Sequence, residues 1–337
     1  MTKIQSIIHH LESIAPPQFA ESYDNPGLLT GNPGDSVTGV LTCLDCTEEV
    51  VDDAIENGEN LIVAHHPIIF GGLKSITGKN YVERTILKAI KNDIAIYAIH
   101  TNLDSVLQNG VSTEIGRQLG LEGMQILQPK QEEAELEVIV MQMRKTDTYQ
   151  IAEELTGKTF YKEFAIETPD GPRFQLFWKG RRDQAQKLAR LLSDQLIETR
   201  MLSGSNLSKE IGLGVIGHLA VPLPENVFLD QIKSRLPVKM IRHSSLLGRS
   251  IQKVAICGGS GSFLLKTAIA RGADIFVTGD FKYHEFFDAD KKIIIADIGH
   301  YESEHSTIGL LRELIQEKFS TFAVRCTNVD TNPINYR

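Results

Sequence analysis

Between Val37 and Gly110 short, near-continuous apolar stretches alternate with amphipathic ones, and this rhythm constrains the fold more than any other feature of the chain. TGVLTCL, NLIVAHHP and IAIYAIHTNLD read as strands, separated by the helices TEEVVDDAIENG and YVERTILKAIKND. The first helix has Thr47 as N-cap, acids in its first turn and Gly58 at its end. A strand that is apolar on both faces must be covered on both, which is the condition of a parallel sheet flanked by helices. The rhythm returns in KVAICGGSGS, FLLKTAIARGA, DIFVTGD, KIIIADIGHYESEHS and IGLLRELIQEKF. The expected fold class is α/β: two related blocks with mostly parallel sheets, over residues 1–125 and 211–337. An amphipathic N-terminal helix carries Ile4, Ile7, Ile8, Leu11 and Ile14 on one face.

Residues 126–210 differ in character. QPKQEEAELEVIVMQMRKTDTYQIAEELTG reads as polar linker, strand and helix. FAIETPDGPRFQLFWKG reads as a hairpin about Pro169–Asp170–Gly171, and RRDQAQKLARLLSDQL as a helix. The β-α-β-β-α pattern predicts an inserted α+β, ferredoxin-like domain.

Composition removes several classes. A length of 337 residues suits about two domains. With 35 Lys plus Arg against 43 Asp plus Glu, a net charge of -8 and no basic cluster, nucleic-acid coating is disfavoured. No apolar run approaches the roughly 20 residues that span a bilayer, and the N-terminus lacks the apolar core of a signal peptide, so a cytoplasmic location is expected. Four cysteines make no disulfide framework. Cys43 and Cys46 form a lone CxxC; without a second pair it reads as small apolar filling rather than a redox or zinc motif.

Three strands end in polar clusters, at the position where open α/β sheets place ligands. The first is His65-His66-Pro67, two imidazoles that leave the sheet at a proline and can serve two neighbouring metals; the alternative for the pair taken alone is one core and one surface histidine. The second runs from His100 to Asp104, with a carboxylate that can ligate and an imidazole that can act as base or as a ligand's partner; alone, Asp104 would be a loop or cap residue. In the third, a helix beginning near His300 puts His300 and Glu304 at i and i+4 on one face, with Glu302 and His305 turned away as surface or cap residues. Together His65, His66, Asp104, His300 and Glu304 offer three imidazoles and two carboxylates, a set that suits two divalent ions sharing a carboxylate. The absence of thiolate fits Zn, Fe, Mn, Co or Ni. In the turn Gly258–Ser262, Gly259, Ser260 and Gly261 offer backbone amides for an anion or cofactor, or simply make a tight turn. The GxGxxG at 212–217 runs into Pro222 and Pro224, so no helix starts there and no dinucleotide site is expected.

With SYDNPGLLTG (22–31), AHHPIIF (64–70), IHTNLDS (99–105), GLGVIG (212–217), CGGSGSF (257–263), GDFKYHEFFDA (279–289) and DIGHYESE (297–304), the chain resembles the GTP cyclohydrolase I type 2 homologues, the Ngg-interacting-factor-three-like dimetal proteins. Tyr23 stands where such sequences commonly have Trp. The resemblance implies a dimetal core joining both blocks, with His65, His66, Asp104, His300 and Glu304 as ligands. It also implies a toroidal homohexamer and a PII- or CutA-like insert. In activity it implies a dinuclear-metal-dependent hydrolase of a purine nucleotide such as GTP; the reading made of this is metal-hydroxide attack, for which His100 and His284 are the candidate proton shuttles. The rival reading is a metal-binding regulatory or scaffold protein forming the same toroid.

Overall fold

The computed structural model describes residues 2–131, 136–142, 162–169, 171–180, 190, 196–202 and 207–337. The chain divides into two units, Met1–Pro129 with Lys209–Arg337, and Lys130–Ser208. Among the described residues no helix is long and apolar enough to cross a membrane.

In the larger unit, β1 (Gly27–Thr30), β2 (Gly39–Cys43), β3 (Leu61–Ala64), β4 (Ala95–Ala98) and β15 (Ala323–Cys326) form a sheet in the order β1-β4-β3-β2-β15. Strands β15, β2, β3 and β4 are parallel, and β1 closes the β4 edge antiparallel. Every residue of β2, β3 and β4 is buried, as their unbroken apolar character requires. The second sheet contains β5 (Leu121–Gln131), β10 (Leu207–Pro224), β11 (Arg242–His243), β12 (Ser250–Ser260), β13 (Ile275–Gly279) and β14 (Ile294–Asp297), in the order β11-β14-β13-β12-β10-β5. Its centre, β12-β13-β14, is parallel, while β10 and β11 pair antiparallel. Mostly parallel pairing therefore describes the first sheet, and the second is mixed.

Helices sort by face. On one side of the first sheet α2 (Glu48–Asn57) and α3 (Tyr81–Lys91) cover Leu41, Ile62 and Ile96. The other side shares one hydrophobic cluster with the second sheet, filled by α1 (Ile4–Ile14), α5 (Val111–Leu119), α6 (Glu225–Arg235) and α9 (Thr307–Lys318). The single turn α4 (Thr101–Asp104) follows β4, α7 (Leu265–Ala270) covers the far face of the second sheet, and α8 (His300–Glu304) follows β14. Local signals in the sequence explain the helix ends: the Thr47 hydroxyl accepts from the Val50 amide, and Gly58 closes α2 at φ 71°.

Two edge strands cross between the halves. β15 comes from the C-terminal block but completes the first sheet beside β2; β5 comes from the N-terminal block but lies at the edge of the second. The blocks 1–125 and 211–337 are thus not separate modules.

In the smaller unit, β6 (Leu136–Gln142), β7 (Lys162–Thr168), β8 (Gly171–Gly180) and β9 (Leu196–Leu202) form a sheet in the order β7-β8-β6-β9 with every neighbouring pair antiparallel. The expected hairpin is present, with Thr168 opposite Gly171. The supposed polar linker starting at Gln128 is strand up to Gln131, and β9 is a strand that the sequence reading did not include. The helix expected at the end of 128–157 and most of that expected over 181–196 lie outside the described residues; of the second, Arg190 is helical and Leu196 instead begins β9.

Candidate metal centre

The carboxyl ends of β3, β4 and β14 converge, and with them His65, His66, His100, Asp104, His300 and Glu304. After β3 the backbone stays paired for two more residues, the amides of His65 and His66 donating to Cys43 O and Leu44 O at 3.1 and 2.9 Å. His65 is fully buried, and its Nδ1 donates to the Ile99 carbonyl at 2.9 Å. That bond fixes the tautomer and leaves Nε2 as a bare acceptor, 3.7 Å from Asp104 Oδ1 and 3.8 Å from Glu304 Oε1. His66 lies between two carboxylates, Nδ1 at 2.8 Å from Asp45 Oδ1 and Nε2 at 3.0 Å from Glu304 Oε2. His300 repeats the arrangement with Asp280 Oδ2 at 2.7 Å and Glu304 Oε2 at 3.1 Å. The i, i+4 spacing on α8 does place His300 and Glu304 side by side. His100 is held through Nδ1 by Asp24 Oδ1 at 2.8 Å, and the other oxygen of Asp24 accepts from the Thr101 amide and hydroxyl.

Three overlapping donor groups result: His65 with His66 and His100, His66 with His300 and Glu304, and His65 with Asp104 and Glu304, each with ligand atoms within 4.8 Å of one another. The two oxygens of Glu304 face different partners, Oε1 toward His65 and Oε2 toward His66 and His300. His65 Nε2 and Asp104 Oδ1 are buried without a hydrogen-bond partner, a costly state for polar atoms that a cation between them would relieve. Imidazole and carboxylate atoms converging without thiolate fit divalent ions of the Zn, Fe, Mn, Co or Ni group.

Electrostatics divides the histidines. Burial pushes His65 down to about 4, so it is neutral. Burial also opposes charge on His66 and His300, but hydrogen bonds to Asp45 or Asp280 and to Glu304 outweigh it, and their values rise to about 9 and about 11. Burial and the neighbouring Glu304 charge push the Asp104 carboxyl up, whereas the surrounding imidazoles hold Glu304 down despite its burial.

The sequence profile of Duf34/NIF3, NGG1p interacting factor 3, matches residues 2–333. This chain belongs to the Duf34/NIF3 family. It is similar to the GTP cyclohydrolase 1 type 2 homolog of Staphylococcus epidermidis, 34% identical over 99% of this chain and 100% of that protein. The crystal structure of Staphylococcus aureus protein SA1388 superposes with a TM-score of 0.83 at 32% identity, covering 100% of this chain and 99% of that one. A Bacillus cereus protein related to NIF3 superposes with a TM-score of 0.74 at 28% identity, with coverage of 100% and 99%.

Not every residue singled out in this Duf34/NIF3 chain joins the cluster. His284 is exposed in a 3-10 turn, its ring against Tyr283, and is not among the residues lining the cavity over the cluster. In the glycine turn the Gly258 and Gly259 amides donate to Ser112 Oγ and Ser303 Oγ, so two of its donors are committed within the protein. Gly259 also clears space for the cluster: at φ 61°, a Cβ there would collide with Glu304 Oε1, so the bare backbone makes room for that carboxylate. Glu302, expected at the surface or as a cap, is instead buried and accepts from Asn332 Nδ2 at 3.1 Å, whereas His305 is exposed. Cys43 and Cys46 are buried in the apolar cluster under α2, and 212–217 is strand, with α6 starting only after Pro224. The sequence reading missed the three carboxylates that hold the imidazoles: Asp24, Asp45 and Asp280. Asp45 and Asp280 closely follow strand ends and obey the same positional rule as the ligands.

Proposed function

We propose that this protein is a dinuclear-metal-dependent hydrolase acting on a purine compound, with GTP the first to test. The observation that carries the reading is the pair of unpartnered buried atoms, His65 Nε2 and Asp104 Oδ1, set among three overlapping donor groups. His65 and Asp104 with Glu304 Oε1 would hold one ion, and His66 and His300 with Glu304 Oε2 the other, so Glu304 is shared. Two such ions lower the pKa of water and polarise a carbonyl or phosphoryl oxygen. The chain's own contribution is orientation and proton movement. Asp24 fixes Nδ1 of His100 as the donor, leaving Nε2 to take a proton from the attacking water and return it to the leaving nitrogen.

The insert is read as ferredoxin-like. Its antiparallel pairs make β6 parallel to β7 and β8 parallel to β9, and joining parallel strands requires two crossovers, usually helical.

The test is elemental analysis and product detection on the full chain. Two ions per chain, loss of at least one in Glu304→Ala with unchanged circular dichroism, and formate release from a purine compound, with GTP and guanosine assayed side by side, are expected. Metal retention without turnover under Zn, Fe, Mn, Co or Ni would overturn the hydrolase and leave a metal-binding regulatory protein.

A further inference from the structure

Over the centre opens a cavity of about 630 Å3, within the range that accepts a small molecule. Its walls have two properties that select a ligand.

The first is aromatic. Among the described residues six Phe and Tyr rings are strongly exposed, and four of them, Tyr23, Phe70, Tyr81 and Phe263, line this cavity. The other two, Tyr283 and Phe287, pack against each other with centroids 5.7 Å apart. Exposed rings concentrated round one opening mark a recognition surface rather than scattered surface apolarity. Phe70 already meets the His100 ring edge to face, at 5.6 Å and 89°. A flat ring entering beside it finds stacking faces close to the atoms of the centre.

The second is charge. Among the described residues lining the cavity there is no Lys and no Arg, while Glu21, Asp45, Asp104 and Glu304 are there. Asp24 and Asp280 stand directly behind His100 and His300. These six carboxylates outnumber the four positive charges that two divalent ions would bring, so even the loaded centre has no surplus attraction for a polyanion. Phosphate sites are built from guanidinium or ammonium groups, or from unspent amides at a helix start. The glycine turn and the starts of α2, α3 and α5 are the parts of the described lining with that character; the Gly258 and Gly259 amides are committed to serine hydroxyls, and the Val50 and Glu83 amides to the caps Thr47 and Asn80.

We infer that this cavity takes a planar heteroaromatic compound of low charge, a free purine-type base or its nucleoside, rather than a nucleoside triphosphate. For its chemistry this rests on the hydrolase reading, but the preference in binding does not require turnover.

Isothermal titration calorimetry on the full, zinc-loaded chain tests it, with guanine, guanosine and GTP as probes and elemental analysis after each titration to detect metal stripping. Guanine or guanosine is expected to bind at least tenfold tighter than GTP. Phe70→Ala and Phe263→Ala are expected to weaken that binding about fivefold or more, the scale of one lost stacking contact, with metal content unchanged. Binding of GTP as tight as that of guanosine, with metal retained, would overturn the inference. So would no binding of any probe, or ring variants that alter oligomer size in light scattering while leaving guanosine affinity intact. Tight guanosine binding without product supports the inference and removes the hydrolase; tight GTP binding with formate release does the reverse.

Discussion

Asp24, Asp45 and Asp280 each accept from Nδ1 of an imidazole whose other nitrogen faces the cluster. Such partners fix ring orientation and raise ligand basicity, and losing one typically costs 10–100-fold in metal affinity. Asp280→Ala is therefore expected to lower metal affinity by about that factor, with secondary structure unchanged, in competition against a fluorescent chelator. Unaltered affinity would mean that Glu304 alone orients His300. At this scale the sequence was informative where the signal was local. His65, His66, His100, Asp104, His300 and Glu304 all lie within a few residues of a buried strand end, and the structure brings them together. Asp45 and Asp280 had the same signal, but an acid after a strand is too common to stand out. Asp24 had none, since it sits in an irregular segment and reaches His100 only through the tertiary fold. His284 shows the converse, a histidine in a polar cluster that the fold leaves at the surface.

Among the elements, α3 anchors the segment that carries the cavity's aromatic edge from Phe70 to Tyr81. The anchor is Glu83, whose Oε2 accepts from the Thr77 amide at 2.8 Å, the Thr77 hydroxyl at 3.0 Å and the Lys79 amide at 3.2 Å. The amide of Glu83 in turn donates to the N-cap Asn80 Oδ1 at 2.9 Å. The Thr77 amide, with the other donors, stabilises the carboxylate and holds its pKa at about 2. An unfolded glutamate titrates near 4.3, so this stabilisation is full above about pH 4.3 and is lost as pH falls toward 2. Hydrogen exchange should show the Thr77 and Lys79 amides losing protection across that window. Glu83→Gln should lack protection at pH 7 and lose the dependence; a variant that kept the wild-type profile would refute the anchor. α2 and α3 were readable from sequence because caps and apolar periodicity are contained within each helix. The short α4 was not, because four residues hold too little periodicity.

For the whole molecule, the two strands flanking the insert touch: a Cβ on Gly212 would lie 2.7 Å from Pro129 Cα. Replacing residues 130–208 with a short Gly-Ser linker is therefore expected to leave metal content and helix content of the remainder unchanged, by elemental analysis and circular dichroism. Loss of metal on that deletion would make the insert part of the centre's support. The exchange of edge strands was illegible in sequence: β15 was not among the elements read there, and its four residues carry no sign of which sheet they would join. Which edge it completes is decided across the full length of the chain, where Ala323 meets Gly39. That register sets an order in time. Ribosomes deliver N-terminal segments first, and most domains begin to fold as they emerge. Here β2 waits for a neighbour almost three hundred positions downstream, and two of the five proposed ligands lie just short of that neighbour. Until then its bare edge is open to pairing with other chains. Competence for metal would thus arrive only after α8 and β15 have emerged, later than the folding of either earlier strand end that carries ligands.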